Sequence, residues 1–304
     1  MTKINSSPCP LRPSRSSHLE LRHLRYHLRH WGPDDAPQIF MLHGWMDVGA
    51  SFQFVVDALQ KDWHIIAPDW RGYGQTEWPR ADCYWFPDYM ADLDAIIEAL
   101  SPDKPINLVG HSMGGNVAML YAGVRPERIK RLVNLEGFGL RGNHAEEAPE
   151  RYAKWLSELR EPPTLRAYAS RESVAERLRK TNPRLTAERA HFLALHWSEE
   201  RKNAQGDGTE WHICGDPAHK IGNPQLYRVE EIMACWRAIT APVLWLNGQE
   251  SALRKHLTDV PDYAARLHNI KNLRMMDIAD AGHMLHHDQP AQVAQLIEDF
   301  VAGI

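Results

Sequence analysis

The sequence predicts an α/β fold in which a mostly parallel, doubly wound sheet carries an inserted helical segment. Apolar segments of strand length alternate with amphipathic segments of helix length through the first half of the chain, which is the order typical of a parallel sheet with helices on both faces. The alternation stops after about residue 139 and resumes at about residue 238. The two stretches therefore form one domain, and the segment between them interrupts it.

The composition is that of one large globular domain with an insertion. The chain has 304 residues, of which 43% are hydrophobic and 24% are charged, enough for a sizeable core. The net charge of −4 comes from interspersed acidic and basic residues, so we expect no basic face and no nucleic-acid partner. No apolar run approaches the roughly 18 residues of a membrane span, and we expect a cytoplasmic protein without a membrane partner.

Composition also divides the chain into three parts. Residues 1–17 are rich in Ser, Pro and Arg and contain no acid, which predicts a disordered N-terminal tail. Residues 18–139 and 238–304 form the predicted core domain. Residues 140–237 are rich in Arg, Glu and aromatic side chains, which predicts a helical cap. The alternative is a set of extra packing helices on the outside of the sheet.

The elements of the core domain follow from hydrophobic periodicity. Loose alternation over residues 18–31 predicts an antiparallel pair of strands at a sheet edge, and we interpret His23 and His27 as part of a solvated face rather than a metal site. The apolar run at residues 38–42 predicts a strand buried on both faces, and mainly apolar stretches predict further strands at residues 63–68, 106–109, 129–135, 242–246 and 273–276. Helical spacing is found at residues 51–60, 89–100, 116–124 and 291–301.

A glycine-flanked serine joins the strand at 106–109 to the next helix. In Gly110-His111-Ser112-Met113-Gly114, the two glycines stand where a sharp strand-to-helix turn leaves room only for small residues. A serine in this Gly-x-Ser-x-Gly context is a candidate nucleophile. The alternative is a glycine-rich turn in which Ser112 is the helix N-cap.

Three further motifs follow predicted strands. They are His43-Gly44-Trp45, the Asp-x-Arg-Gly-x-Gly segment within residues 69–75, and Ala281-Gly282-His283. On these motifs and the serine turn, the chain resembles the serine-nucleophile branch of the α/β-hydrolase superfamily with a helical cap, from residue 18 to the C-terminus apart from the cap. The resemblance implies that His283 is the base for Ser112. His286 and His287 would only border the site.

The resemblance also implies how the substrate is held. The backbone N–H groups of Trp45 and Met113 would form an oxyanion hole. The predicted substrate pocket includes His43, Gly44, Met46, His111 and Phe138. We expect the cap to close over Ser112 and its aromatic residues to complete an apolar pocket for short to medium acyl chains, together with Trp45, Met46 and Phe138.

The acid that orients His283 departs from the commonest pattern of the superfamily. That pattern has an aspartate three residues after the glycine that ends the strand following the cap. Here the glycine is Gly248 and the third residue is Ser251. We predict that Glu136, at the end of the strand before the cap, is the acid, and Glu250 is the alternative. Glu136 could instead cap its strand or pair with an arginine of the cap.

These residues predict acyl transfer from a small-molecule substrate to water. Relatives that open epoxides or displace halide use an aspartate where this chain has Ser112. No cofactor is expected, because the sequence has no dinucleotide or phosphate-loop motif, and no metal is expected. The cysteines at 9, 83, 214 and 235 form no Cys-x-x-Cys pair. The substrate class is an ester, thioester or lactone; the alternatives are a non-catalytic binding protein and a carbon–carbon bond hydrolase.

Overall fold

A central sheet and its flanking helices make up most of the computed structural model, which describes residues 11–203, 206–258 and 263–303. The strands are β1 (Ser14–Leu21), β2 (Leu24–Trp31), β3 (Gln38–Leu42), β4 (His64–Pro68), β5 (Ile106–His111), β6 (Ile129–Leu135), β7 (Ser198–Lys202), β8 (Thr209–Ile213), β9 (Val243–Gly248) and β10 (Leu273–Ile278). The helices are α1 (Gln53–Ala58), α2 (Phe86–Leu100), α3 (Met113–Val124), α4 (Ala148–Arg160), α5 (Arg171–Thr181), α6 (Ala187–Trp197), α7 (Val229–Ala238), α8 (Ala252–Thr258), α9 (Tyr263–Leu267), α10 (Leu285–Asp288) and α11 (Pro290–Ala302). None of these helices combines the length and the hydropathy needed to cross a bilayer.

Eight of the described strands form one sheet in the order β1-β2-β4-β3-β5-β6-β9-β10. β1 and β2 pair antiparallel at one edge, β2 pairs antiparallel with β4, and the other neighbours are parallel. The predicted fold class is confirmed, including the antiparallel pair at the edge. The central strands β4, β5 and β9 are buried along their whole length, because helices cover both faces of a doubly wound sheet.

Two apolar clusters, one on each face, attach the helices to this sheet. On one face, α2 and α3 contribute Leu93 and Val117, which pack with Leu108 of β5. On the other face, α1 and α11 contribute Val55 and Ile297. Burying a side chain of this size contributes about 1.5–3 kcal/mol, so these two layers hold the parallel strands in register.

The carboxyl ends of β3, β5 and β6 lie side by side. Leu42 of β3 pairs with Gly110 of β5, and His111 of β5 pairs with Leu135 of β6. The loops that follow the three strands therefore begin next to one another. In open α/β sheets this edge is where ligands bind.

The N-terminal boundary of the core domain differs from the prediction. β1 begins at Ser14, so residues 14–17, which were predicted to be disordered, belong to the edge strand. Their polar composition is compatible with a strand because they bond across to β2; Ser17 Oγ lies 2.7 Å from Nε2 of His30. Residues 1–10, where most of the predicted tail falls, lie outside the described residues.

His27 is fully buried, so its predicted place on a solvated face is wrong. Its Nδ1 donates to Asp69 Oδ2 at 2.7 Å, and its Nε2 lies 2.8 Å from Ser16 Oγ. Asp69 also accepts the N–H groups of Gly49, at 2.7 Å, and Gln75, at 3.0 Å. This carboxylate therefore ties β2 to the loops after β3 and β4.

The insertion between β6 and β9 contains a two-stranded hairpin as well as helices, whereas the sequence predicted helices only. β7 and β8 pair antiparallel, with Ser198 opposite Ile213 and Lys202 opposite Thr209. β7 reads Ser-Glu-Glu-Arg-Lys and has little buried surface, so no period-two pattern marks it. An apolar cluster joins α5 and α6 to the loop and helix after β3; it includes Val48, Phe54, Val174, Leu193 and Trp197.

The last helix of the predicted cap packs on the sheet domain. The ring of Trp236 in α7 lies 5.8 Å from that of Trp245 in β9. The backbone of Cys235 lies so close to α3 that a Cβ on Gly123 would be 2.1 Å from its carbonyl oxygen. The predicted boundary at residue 237 therefore cuts through a helix that belongs to the core layers.

Replacing the buried Asp69 by asparagine should destabilise the protein by about 2 kcal/mol at pH 7. Burial by itself raises the pKa of Asp69, but the hydrogen bond and charge of His27, with His43 and the Gln75 N–H, outweigh burial and lower this pKa to about 2. A carboxyl whose pKa is lowered on folding contributes stability above its unfolded pKa and loses it as the pH falls.

Urea unfolding of wild type and Asp69→Asn should therefore show a difference that is full at pH 7 and shrinks between about pH 4 and pH 2. A difference that stays constant over this range would contradict the assignment.

Candidate active site

Ser112 lies in a sharp turn between β5 and α3. Its φ is 52°, which is uncommon for a residue with a side chain and is found at strained functional positions. The flanking glycines permit the turn: a Cβ on Gly110 would lie 2.4 Å from the carbonyl oxygen of Gly114, and one on Gly114 would lie 2.3 Å from that of Leu42. The Ser112 side chain makes no capping hydrogen bond to α3, which argues against the N-cap alternative.

His283, far away in sequence, lies next to this serine. Its Nε2 is 3.0 Å from Ser112 Oγ, within hydrogen-bond distance. The backbone of His283 is held by His111, whose Nε2 donates to the His283 carbonyl oxygen at 2.9 Å. Burial is the main reason that the pKa of His111 lies well below its ordinary value, and the charge of the neighbouring His283 lowers it further. His111 is therefore a neutral donor that positions the loop of His283.

The carboxylate of Glu136 completes a row of hydrogen bonds. Its Oε2 accepts from Nδ1 of His283 at 2.8 Å, which leaves Nε2 free to accept the proton of Ser112. The carboxylate is buried and takes two further hydrogen bonds, each 2.6 Å long, from the N–H of Gly248 and the hydroxyl of Ser251. Three donors compensate a buried carboxylate for its lost hydration.

The turn that carries Glu136 is braced from inside the sheet. Glu136 has a φ of 57°, again in a region that residues with side chains rarely adopt. The amide of Asn134 spans the turn: its Oδ1 accepts the N–H of Gly137 at 2.7 Å and its Nδ2 donates to the Gly137 carbonyl at 3.1 Å. Sequence reasoning missed this role of Asn134, although a single amide within an apolar strand was the available signal.

Glu250, the alternative acid, is directed away from His283. It forms an ion pair with Arg184 of the insertion, and its side chain is 49% exposed. The next residue, Ser251, stands where the commonest superfamily pattern has aspartate, and it donates to Glu136. The structure therefore brings Glu136 to His283 and not Glu250. Ser251 is a supporting residue that the sequence reasoning left without a role.

The loop after β3 passes directly beside the serine. A Cβ on Gly44 would lie 3.2 Å from Ser112 Cβ. Met113 is the first residue of α3, and the N–H groups of a first helical turn have no acceptor within the helix. The N–H of Met113 and that of Trp45, which follows Gly44, are thus the candidate donors for an oxyanion.

His43 supports this loop from behind and does not line a pocket, contrary to the prediction. It is fully buried; its Nδ1 donates to the Gly44 carbonyl at 2.7 Å and its Nε2 accepts the N–H of Trp70 at 2.9 Å. Burial lowers the pKa of His43 to about 4, which suits a neutral ring with one donor and one acceptor. His111 is likewise buried behind the site.

Among the remaining predicted pocket residues, Trp45 and Met46 reach the surface and Phe138 does not. Trp45 is 53% exposed, and Met46 is partly exposed. Phe138 is buried against the rings of Trp245 and Tyr263, with centroids 6.1 and 6.0 Å away. Phe138 is therefore a core residue, and the two predicted pocket residues that reach the surface directly follow Gly44 in the loop after β3.

The insertion contacts both loops that flank the serine. Its Asn182 donates to Asp288, after the loop of His283, at 2.7 Å, and its His219 carbonyl accepts the indole N–H of Trp45 at 3.4 Å. Two of its large aromatic residues are used in packing away from the serine. Trp197 lies in the cluster shared with the loop after β3, and the core cluster includes Trp236, so these two rings do not complete the expected acyl pocket.

Comparison with known proteins supports the fold. A family model described as the alpha/beta hydrolase fold matches residues 37–290. A serine hydrolase-like protein from Danio rerio is 27% identical over 281 residues, covering 89% of this chain and 83% of the relative. A 3-hydroxybutyrate-oligomer hydrolase from Cupriavidus necator is 29% identical over 288 residues, covering 90% and 91%. Among solved structures, a thioesterase domain from the curacin biosynthetic pathway is similar with a TM-score of 0.82 and 25% identity, covering 94% of this chain and 99% of that domain.

Removing the Ser251 hydroxyl should destabilise the protein through Glu136. Ser251→Ala deletes one donor to a buried carboxylate, and hydrogen bonds to charged groups contribute about 1.5–3 kcal/mol. Urea unfolding should therefore show a loss of this size in wild type and a much smaller loss in a Glu136→Gln background. Equal losses in the two backgrounds would mean that Ser251 acts through other contacts.

Proposed function

Because the chain belongs to the α/β-hydrolase fold family, we propose that it is a serine hydrolase that cleaves a small, mostly apolar ester, thioester or lactone. The observation that carries the proposal is the row of hydrogen bonds from Ser112 through His283 to Glu136. A serine hydroxyl is a weak nucleophile until a base can take its proton. This row supplies the base and the carboxylate that orients it.

Acylation begins when Ser112 Oγ attacks the carbonyl carbon and its proton passes to Nε2 of His283. The Glu136 carboxylate, 2.8 Å from Nδ1, stabilises the imidazolium that forms. The N–H groups of Trp45 and Met113 stabilise the negative charge that develops on the carbonyl oxygen. Each such donor contributes about 2.7–4 kcal/mol of transition-state stabilisation. The bond to the leaving oxygen or sulfur then breaks, and the leaving group takes the proton from His283.

Deacylation repeats these steps with water as the nucleophile. His283 accepts a proton from water as the water oxygen attacks the acyl carbon of the ester on Ser112. The tetrahedral intermediate collapses, the proton returns from His283 to Ser112 Oγ, and the carboxylic acid is released. For a lactone, the hydroxyl released in the first half-reaction stays attached to the acyl chain. None of these steps requires a cofactor.

The substrate class rests on the relatives and on the mouth of the site. Oligomers of a hydroxy acid joined by ester bonds, and the thioesters that a thioesterase cleaves, both present an acyl carbon with a leaving group. The exposed ring of Trp45 and the partly exposed Met46 offer apolar contact beside Ser112, which suits an apolar acyl group. A serine in the nucleophile position argues against epoxide opening, which in this fold uses aspartate.

The proposal is tested by labelling and by a matched pair of serine variants. A fluorophosphonate at pH 8 should add one group per chain, and peptide mapping should locate it at Ser112. Ser112→Ala should lower kcat/KM on a nitrophenyl butyrate ester by at least about 10⁴-fold, while the exposed Ser157→Ala should leave it unchanged. A folded wild-type protein that neither labels nor hydrolyses activated esters would instead be a binding protein of this fold.

A further inference from the structure

A second cluster of polar side chains is buried behind the active site. It consists of Asp47, in the loop after β3, and His286 and His287, in α10. Their exposed fractions are 3%, 0% and 2%. None of the three takes part in the steps proposed for Ser112.

Several polar atoms of this cluster lack hydrogen-bond partners. Within the described residues, both ring nitrogens of His286 have none, and no other buried histidine there leaves both ring nitrogens unpaired. Asp47 Oδ2 has no partner in good hydrogen-bond geometry, although the indole N–H of Trp197 acts on this carboxylate. Each buried polar group that stays unpaired costs about 1–3 kcal/mol, and native proteins contain few of them. His43, with both nitrogens bonded, shows the usual arrangement. These unpaired atoms are available to bind a ligand.

The three side chains can direct one ligand atom each at a common point. One oxygen of Asp47 and one ring nitrogen each of His286 and His287 all lie within 4.8 Å of one another. A tetrahedral zinc site, with bonds of about 2.0–2.1 Å, separates its ligand atoms by about 3.3 Å, so small side-chain rotations would close the set. We infer that Asp47, His286 and His287 form a binding site for a divalent transition-metal ion such as Zn²⁺.

The donor set fits this class of ion. Two imidazoles and a carboxylate suit zinc and its first-row neighbours, whereas Ca²⁺ and Mg²⁺ prefer oxygen ligands throughout. Three protein ligands would leave a fourth position for water. Sequence reasoning expected no metal because Asp47 lies in a different part of the chain from the two histidines, so no ligand spacing marks the site.

The surroundings orient the ligands. The Ser51 hydroxyl donates to Asp47 Oδ1 and lies 3.0 Å from His287 Nε2, the kind of outer contact that positions metal ligands. The rings of Phe52 and Phe54 lie 5.4 Å from His286 and 5.8 Å from His287, respectively. These rings exclude water from one side of the site.

Charged groups of both signs lie around the cluster: the Asp69 carboxylate favours a cation, and the positive charge of Arg189 opposes one. The negative charge of Asp69 repels that of Asp47. A bound cation would reduce this repulsion. The one positive group among the described contacts of His287 is Arg189, whose Nη1 donates to the backbone carbonyl of His287 at 2.7 Å. Arg189 therefore faces the main chain of α10.

An ion at this place would connect the two loops of the proposed active site. Asp47 is two residues beyond Trp45, and His286 is three residues beyond His283. The ring of His111 lies next to both of these histidines, with its centroid 4.2 Å from that of His286 and 4.9 Å from that of His283. Binding should therefore raise the thermal stability of the protein, whether or not the serine hydrolase proposal holds.

Metal binding is tested on the full chain, first stripped with EDTA. Titration with Co²⁺ should produce visible d–d absorption that saturates at one ion per chain, and Zn²⁺ should displace it. Asp47→Asn and His287→Gln should each weaken binding by at least about 100-fold, whereas His268→Gln, at an exposed histidine, should not. Circular dichroism should establish that each variant is folded, and the isosteric Asp47→Asn serves where His287→Gln fails to fold.

Any of three results would overturn the inference. One is a folded wild-type protein that retains less than about a tenth of an equivalent of zinc after gel filtration. Another is unchanged binding in both ligand variants, which would place the ion at surface histidines. A zinc-soaked crystal that shows only an ordered water between the three side chains would lead to the same conclusion.

Discussion

The hydrogen bond from Nδ1 of His283 to the Glu136 carboxylate determines whether the site can work. It is 2.8 Å long, and it decides which ring nitrogen carries the proton and hence whether Nε2 can accept one from Ser112. Because the carboxylate is buried, it must take its hydrogen bonds from the protein. Gly248 and Ser251 supply the other two, so one carboxylate holds together the loops after β6, β9 and β10.

The position of the acid follows from the order of the strands. β6 and β9 are parallel neighbours, with Leu135 opposite Leu246, so an acid at the end of either strand begins close to the same histidine. A second carboxylate at residue 251 would repel the first one in a buried site. A serine there provides a donor instead, which is consistent with an acid that is supplied by β6.

Much of the fold could be predicted because the inner strands β4, β5 and β9 are buried along their whole length, so most of their residues are apolar. Ser112 and His283 could be predicted because each lies in a short local motif. The choice between Glu136 and Glu250 could not be made from motifs, since it depends on which loop faces His283 in three dimensions. The supporting roles of Asn134 and Ser251 depend on contacts between loops.

Burial was the other property that the sequence did not reveal. His27 follows a polar pattern at a sheet edge, yet Asp69 provides a buried partner. His43 belongs to a motif beside the nucleophile, yet its ring is fully used by backbone groups. β7 has too little buried surface to show a period-two pattern. For the two histidines, a tertiary contact decided the outcome over the local pattern.

The most direct test of this account compares Glu136→Gln with Glu250→Gln on an activated ester. Both substitutions remove one charge and keep the shape of the side chain, and both variants should remain folded. We expect kcat to fall by about 10⁴-fold in Glu136→Gln and to stay within about twofold of wild type in Glu250→Gln, where only an exposed ion pair is lost. A large loss in Glu250→Gln with little change in Glu136→Gln would contradict this expectation.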